Sequence, residues 1–256
     1  ALQQVRGLIV HLGGLGAGGM GRVYLGQDGS GRTAAVKVLH PGLTNDLNLT
    51  QRFVREAEAA QAVTGPGVAR LLAAQTEAGR LWISTEFLAG PTLDSAVERH
   101  GPFDEPALRH LAHSLAHTLC DIHRAGLIHR DIKPSNIILT RTGPRIIDFG
   151  IARPEHGLTL TTTGQAPATP GYGAPEQVLG QRGGPSADVF SLAAVHAYAA
   201  GGRRVLHGAH VAAVQYEVVH GQPRLDAVPW QFRSLIEPCL SKVPGNRPRP
   251  EHIAQA

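Results

Sequence analysis

His129-Arg130-Asp131-Ile132-Lys133-Pro134-Ser135-Asn136 and, seventeen residues after Asp131, Asp148-Phe149-Gly150 are the two stretches on which the fold of this chain turns. The first follows a long amphipathic helical pattern running from Glu105 to Ala125. Two short apolar runs, Ile137 to Leu139 and Arg145 to Ile147, separate it from the second. Beyond Asp148 comes a Gly-, Thr- and Pro-rich segment up to Pro175, long enough for a structureless connection to suggest function. Further helical patterns occupy Ser186 to Ala200, His210 to Val219 and Trp230 to Ser241.

Upstream of Gly90-Pro91 the pattern is different. Short β-like runs occupy Leu8 to Leu12, Arg22 to Gly26, Thr33 to Leu39, Ala69 to Gln75 and Arg80 to Phe87. One helical stretch from Asn48 to Val63, with Phe53, Ala57, Ala60 and Val63 at helical spacing, interrupts them; Asn45, Asp46 or Asn48 could cap it. The chain thus reads as a small sheet with one helix, followed by a mainly helical part.

Leu15-Gly16-Ala17-Gly18-Gly19-Met20-Gly21-Arg22-Val23 contains Gly-x-Gly-x-x-Gly-x-Val. Because Arg22 to Gly26 looks like a strand, these glycines sit in a hairpin rather than at the start of a dinucleotide-binding helix. Backbone N–H groups without side chains could approach phosphate oxygens there; a flexible Gly-rich turn is the lesser alternative for the run alone. The segment Gly26 to Thr33 nearly matches a P-loop, with Arg32 in the lysine's place. Asp28-Gly29 and Ser30-Gly31 are hairpin-turn chemistry, however, and a β-rich run follows where a P-loop needs a helix. Lys37 lies on that next strand and Glu56 nineteen residues later on the helix. A lysine meant for phosphate needs a fixed ammonium, which a glutamate across a cleft supplies; taken alone, the two are ordinary surface charges.

In this order and spacing the residues resemble the Hanks-type protein kinases, and Ala174-Pro175-Glu176, Asp188 and Arg247 extend the resemblance over nearly the whole chain. The glycine-loop phrasing is most similar to the actinobacterial branch of the bacterial serine/threonine kinases. The resemblance implies an α+β, bilobal protein-kinase-like fold spanning 1–256. It places an N-lobe with an antiparallel sheet and one helix at about 1–88, a hinge at 85–91, a mainly helical C-lobe at about 92–256 and an activation segment at 148–176. It implies transfer of the γ-phosphoryl of ATP to protein serine or threonine hydroxyls. Asp131 would accept the hydroxyl proton, Lys133 would stabilise γ-phosphate charge, and Lys37, paired with Glu56, would hold the α/β-phosphates. Asn136 and Asp148 would hold Mg2+, or Mn2+ in its place. Leu15, Gly16, Gly18 and Gly21 would cover the nucleotide. Val23, Ala35 and Ile138 would sandwich the adenine beside the gatekeeper Thr85, with Glu86 and Leu88 offering hinge hydrogen bonds.

Within the activation segment, Thr161 and Thr163 are expected autophosphorylation sites, with a homodimer for transfer in trans; Arg130 would meet the phosphate and Thr169 would position the catalytic loop. His11, Ala168, Val205-Leu206 and Val243 depart from the family's habits without removing a catalytic group. A binding-only pseudokinase scaffold and a small-molecule phosphotransferase are the alternatives. Intact Lys37, Glu56, Asp131, Asn136 and Asp148 oppose the first, and the Ala174-Pro175-Glu176 platform for polypeptides opposes the second.

Composition narrows the partners. Hydrophobic residues are 42% and charged residues 17% of 256, as in ordinary globular chains. The net charge of +4 comes from scattered Lys and Arg with no basic stripe interleaved with aromatics, so protein substrates rather than nucleic acid are expected. Cys120 and Cys239 suit neither a disulfide framework nor a zinc site and read as buried free thiols in a reducing compartment. None of the fourteen histidines is assigned as a metal ligand. No membrane segment or signal peptide is read, and a cytoplasmic location is expected, with any tether outside these residues.

Overall fold

A computed structural model describes residues 3–5, 8–18, 21–28, 30–40, 47–76, 81–149, 170–181 and 183–255. Its first part is an antiparallel sheet of β1 (Gln3–Val5), β2 (Leu8–Gly18), β3 (Gly21–Asp28), β4 (Thr33–Leu39), β5 (Leu71–Gln75) and β6 (Trp82–Glu86). The spatial order is β1-β2-β3-β4-β6-β5. Along β4 the alternation is clean: Ala34, Val36 and Val38 pack with Trp82 on one face, while Leu39 on the other joins Phe53, Ala57, Leu81 and Ile83. Phe53 and Ala57 come from α1 (Leu47–Ala62), so the helix is clamped to the sheet face that also carries Lys37. Asn48 lies inside the first turn of α1, and Asn45 and Asp46 fall outside the described residues.

Two boundaries differ from the expectation. β1 was not anticipated, and β2 continues from Leu12 through Gly18. The run Gly13-Gly14-Leu15-Gly16-Ala17-Gly18 has no apolar alternation, so its extended form is imposed by pairing with β3, with register shifts around Gly14. The rejected P-loop match is indeed a β3–β4 hairpin, with Gly31 at φ +84 and its carbonyl accepting a hydrogen bond from Gln27 Nε2.

The second part comprises α2 (Leu93–His100), α3 (Glu105–Arg124), a 3-10 turn at Pro134–Asn136, the hairpin β7 (Ile137–Thr140) and β8 (Gly143–Ile146), α4 (Pro175–Val178), α5 (Pro185–Gly201), α6 (Val211–His220), α7 (Trp230–Cys239) and α8 (Pro250–Ala254). Asp104 starts α3 by accepting from Ala107 N at 3.0 Å. Gly202 ends α5 in the left-handed region at φ 68. All residues of α5 from Ala187 to Ala200 are buried, which makes it the axis of this core. α2 was missed because its buried residues are only Leu93, Ala96 and Val97, too short a pattern to show period. Among the described residues no helix is long and apolar enough to cross a membrane.

Cys120 and Cys239 are buried and free, as expected, and burial pushes the Cys239 thiol up to about 12. His113 and His117 stand four residues apart on α3 with Asp121 one turn on, a spacing that metal sites do use. Their rings instead pack edge to face at 4.4 Å, His113 Nδ1 lies 3.0 Å from the Ala254 carbonyl, and Asp121 pairs with Arg124. Among the described residues no group of three or more candidate ligands converges.

The loop between α1 and β5 joins the two parts. Gly67 approaches α3 so closely that a Cβ would stand 1.8 Å from Thr118 Oγ1. Its carbonyl accepts from Ile146 N at 2.7 Å, and Ala69 N donates to the Ile146 carbonyl at 3.1 Å. Gly67→Ala should therefore destabilise the fold by about 1–3 kcal/mol, and adding Thr118→Ala should recover most of that; denaturant midpoints of both variants check the coupling.

At the other end, Arg247 Nη1 and Nη2 grip Glu176 Oε1 and Oε2 at 2.6 and 2.8 Å, with the side chains 0% and 6% exposed. Arg247 also donates to the Ser241 and Ser186 carbonyls, pinning α4 to α5. Glu176→Ala strands a buried guanidinium and should cost about 3–5 kcal/mol, read as a lower urea midpoint.

Candidate active site

The loop after α3 is held in an uncommon conformation. Arg130 has φ 65, which a side-chain-bearing residue adopts at a cost of about 1–3 kcal/mol. Asp188, fully buried on α5, offsets this. Its Oδ2 accepts from His129 N at 2.8 Å and from His123 Nε2 at 2.9 Å, and its Oδ1 accepts from Arg130 N at 2.8 Å. His129 is itself fully buried, and burial holds its pKa below the usual histidine range. Neutral, it accepts at Nδ1 from Asp131 N at 3.3 Å. The backbone on either side of Arg130 is thereby fixed, and Asp131 is aimed by its neighbours.

Around Asp131, Lys133 Nζ lies 3.0 Å from its Oδ2. Asn136 Nδ2 donates to the Asp131 carbonyl at 3.0 Å and to Oδ2 at 3.2 Å. Spending the amide nitrogen on Asp131 leaves Asn136 Oδ1 as an oxygen ligand. Asp148, which also has positive φ at 55, supplies a carboxylate that is 45% exposed. These two oxygen donors are the chemistry a hard cation such as Mg2+ takes.

Lys37 connects this floor to the sheet. Its Nζ is 2.5 Å from Glu56 Oε1 and 3.8 Å from Asp148 Oδ1. Burial opposes the ammonium charge, but Glu56 and Asp148 outweigh it, so Lys37 titrates above the ordinary lysine range and stays charged. Behind Asp148, the Phe149 ring packs on His129 with centroids 5.1 Å apart.

Above this floor lie the further side chains that the resemblance named for the nucleotide. Val23 pairs with Lys37 across β3–β4, and Ala35 pairs with Thr85 across β4–β6, so these side chains share one sheet face. From below, Ile138 is brought up because Gly90 presses on β7: a Cβ there would stand 2.0 Å from the Leu139 carbonyl and 3.4 Å from Ile138 Cγ2. Leu88 is buried, and the Glu86 side chain accepts from Arg70 N at 3.0 Å.

The loop glycines differ in cause. Gly21 is required by the fold, since a Cβ would meet the Val38 carbonyl at 2.2 Å, whereas a Cβ on Gly16 would meet no protein atom within 4 Å. Gly16 thus leaves room beside exposed Leu15 that a nucleotide's phosphates would fit. Gly18 closes the hairpin opposite Gly21. Thr161, Thr163 and Thr169 lie outside the described residues. The Arg130 carbonyl accepts from Gln177 Nε2 at 3.1 Å, which ties the loop to α4.

Sequence reading quoted Asp188 without giving it a task, and gave none to His129. The signal for Asp188 was available: a lone carboxylate in an otherwise apolar, fully buried helix must be satisfied by several donors.

The family described as the protein kinase domain matches residues 9–256. The chain is 42% identical to serine/threonine-protein kinase AfsK of Streptomyces coelicolor over 94% of its residues and 30% of that protein. It is also 42% identical to the probable serine/threonine-protein kinase PkwA of Thermomonospora curvata, over 91% of the chain and 32% of that protein. With serine/threonine-protein kinase PknA of Mycobacterium tuberculosis it shares 36% identity over 92% of the chain and 57% of that protein. The chain therefore spans about a third to just over half the length of the curated relatives it matches. A family match of this extent, on a fold with the expected sheet, helices and cleft, means that the chain belongs to the protein kinase domain family, alongside serine/threonine-protein kinases of actinobacteria.

Proposed function

We propose that the chain is an ATP-dependent protein serine/threonine kinase and that Asp131, Lys133, Lys37 and Glu56 act in transfer. The observation that carries this is the assembled bridge from Glu56 through Lys37 to Asp148, at 2.5 and 3.8 Å. A scaffold that only binds partners needs no such alignment. The platform of Ala174, Pro175 and Glu176, locked to α5 by Arg247, favours a polypeptide acceptor over a small molecule.

Asp131 orients the acceptor hydroxyl and takes its proton as the oxygen attacks the γ-phosphorus. The new O–P bond forms, the β,γ-bridging P–O bond breaks, and ADP leaves with its electron pair. Lys133 beside Asp131 offsets charge on the transferring group, and Lys37 steadies the α/β-phosphates from the other side. Mg2+ held by Asn136 and Asp148 would neutralise phosphate oxygens and keep donor and acceptor in line. Thr85, Glu86 and Leu88 with Val23, Ala35 and Ile138 hold the adenine; Leu15, Gly16, Gly18 and Gly21 cover the phosphates.

With Mg-ATP and a protein acceptor, Asp131→Asn should lower kcat about 10²- to 10⁴-fold and Lys37→Met about 10²-fold; phosphoamino-acid analysis should show phosphoserine or phosphothreonine. Equal incorporation by all three chains, or phosphate found only on small molecules, would refute the assignment. Autophosphorylation of Thr161 and Thr163, with Arg130 meeting the phosphate and Thr169 facing the substrate, belongs to the same reading. Phosphopeptide mapping of the active chain decides it, since an active chain with neither threonine modified excludes it.

Asp188→Asn keeps the shape but has one acceptor oxygen in place of two, so at least one of the hydrogen bonds from His129 N and Arg130 N of the catalytic loop and from His123 Nε2 of α3 is lost. It should lower kcat by about tenfold or more with little change in the KM for ATP, measured by steady-state assay.

A further inference from the structure

Beside the segment that enters α4 lies a basic cluster with no carboxylate of its own. Arg203, Arg204, His207, His210 and Arg224 are all exposed. The Arg204 guanidinium carbon sits 5.5 Å from the centroid of the Tyr172 ring, and its Cδ stands where a Cβ on Gly171 would come within 3.2 Å. His207 links the two sides. Its Nε2 is 3.0 Å from Arg224 Nη1 and its Nδ1 is 3.1 Å from the Arg204 carbonyl. Arginine only donates, so His207 Nε2 accepts and its Nδ1–H donates to the Arg204 carbonyl. Arg224 N also donates to the Val205 carbonyl at 2.9 Å. Arg204 and Arg224 are therefore held in place with exposed Arg203 next to them in the chain, and among the described residues none of the three forms an ion pair with a carboxylate.

Two other exposed arginines are matched, Arg109 by Glu105 and Arg124 by Asp121, whereas among the described residues Arg99, Arg141 and Arg249 stand singly; here three unmatched arginines gather beside one segment. The nearest acids are Asp94 and Glu98 on α2, which act on Tyr172 and Tyr198 alongside Arg204 but form no ion pair with it; Asp94 Oδ1 is instead directed to Thr92 Oγ1 and Ser95 N at the start of that helix. Positioned guanidinium groups without a counter-charge favour a carboxylate brought by a ligand, since less side-chain entropy remains to be lost on pairing.

The cluster is also near the catalytic loop. Tyr172 stands five residues before Gln177, so their Cα atoms are within about 18 Å, and Gln177 Nε2 donates to the Arg130 carbonyl of that loop. One extended protein segment can reach both places. Resting on the kinase reading above, we propose that Arg203, Arg204 and Arg224 select protein substrates whose acceptor serine or threonine is flanked by glutamate or aspartate.

The experiment compares serine peptides that differ only in flanking Glu, Gln or Lys, with the purified chain, its Arg203→Glu/Arg224→Glu variant and an Arg204→Lys variant. The wild-type chain should prefer Glu over Gln flanks by roughly fivefold in kcat/KM, falling as salt rises, as expected for a few exposed ion pairs. The double variant should reverse the preference toward Lys flanks while its KM for ATP and its rate on Gln-flanked peptide hold, a gain that misfolding cannot produce. Arg204→Lys should keep the sign of the preference. Equal rates on all three flanks by the wild-type chain, or an unchanged preference in the double variant, overturns the proposal. So does a preference for phosphoserine flanks that Glu does not reproduce, or saturable binding to anionic phospholipid vesicles that abolishes peptide discrimination. If no peptide and no general protein acceptor is phosphorylated, the kinase reading itself has failed, a result distinct from loss of flank preference.

Discussion

The carboxylate of Asp188 is the constraint around which the catalytic side of the molecule is arranged. A buried, ionised carboxylate costs several kcal/mol in lost hydration, so it persists only where donors converge on it. Here the donors are His129 N, Arg130 N and His123 Nε2, two of them backbone groups of the loop that carries Asp131. The loop in turn needs the carboxylate, because Arg130 at φ 65 would relax toward an ordinary conformation without it. Each side satisfies the other's deficit. The outcome is a rigid loop seated on α5, the most buried helix of the second part.

From α5 the constraint spreads in two directions. Ser186, at its start, accepts from Arg247, whose guanidinium is closed by Glu176, so the segment that would face a polypeptide shares a support with the catalytic loop. In the other direction the β7–β8 hairpin follows directly on Asn136 and reaches the sheet. Ile146 exchanges backbone hydrogen bonds with Gly67 and Ala69, and Arg145 Nη1 donates to the carbonyls of Pro66 and Val68. Arg145 Nη2 also lies 3.8 Å from Glu86 at the end of β6. Lys37 and Asp148 can therefore meet reproducibly although one rides on the sheet and the other on the helical part.

The legible parts of the sequence were those whose cause is local. α3 showed a helical period, β4 a β-rich run, and the apolar stretch from Ser186 marked α5, which is buried on every side rather than amphipathic. Lys37, Glu56, Asp131, Asn136 and Asp148 were identifiable because their spacing is distinctive, and the structure brings them together. What escaped depends on long-range contact. β2 beyond Leu12 is extended only because β3 pairs with it, and α2 is too short for a period. Arg145 reads as one more surface cation until the loop 66–68 folds over it. The partner of Asp188 lies 59 residues away in sequence, and no local pattern could join them.

The glycine loop makes the same distinction within a single motif. Gly21 and Gly16 look interchangeable in the sequence, yet the first is dictated by the Val38 carbonyl and the second by nothing in the protein. At Gly16, beside the register shift of β2, the space a side chain would fill is left open. On the kinase reading, phosphate oxygens would approach the backbone there, and the charged Lys37, two strands away on β4, would be the matching cation. The motif that is least specific as a pattern thus becomes informative once packing separates the glycine that serves the sheet from the glycine left open to a ligand.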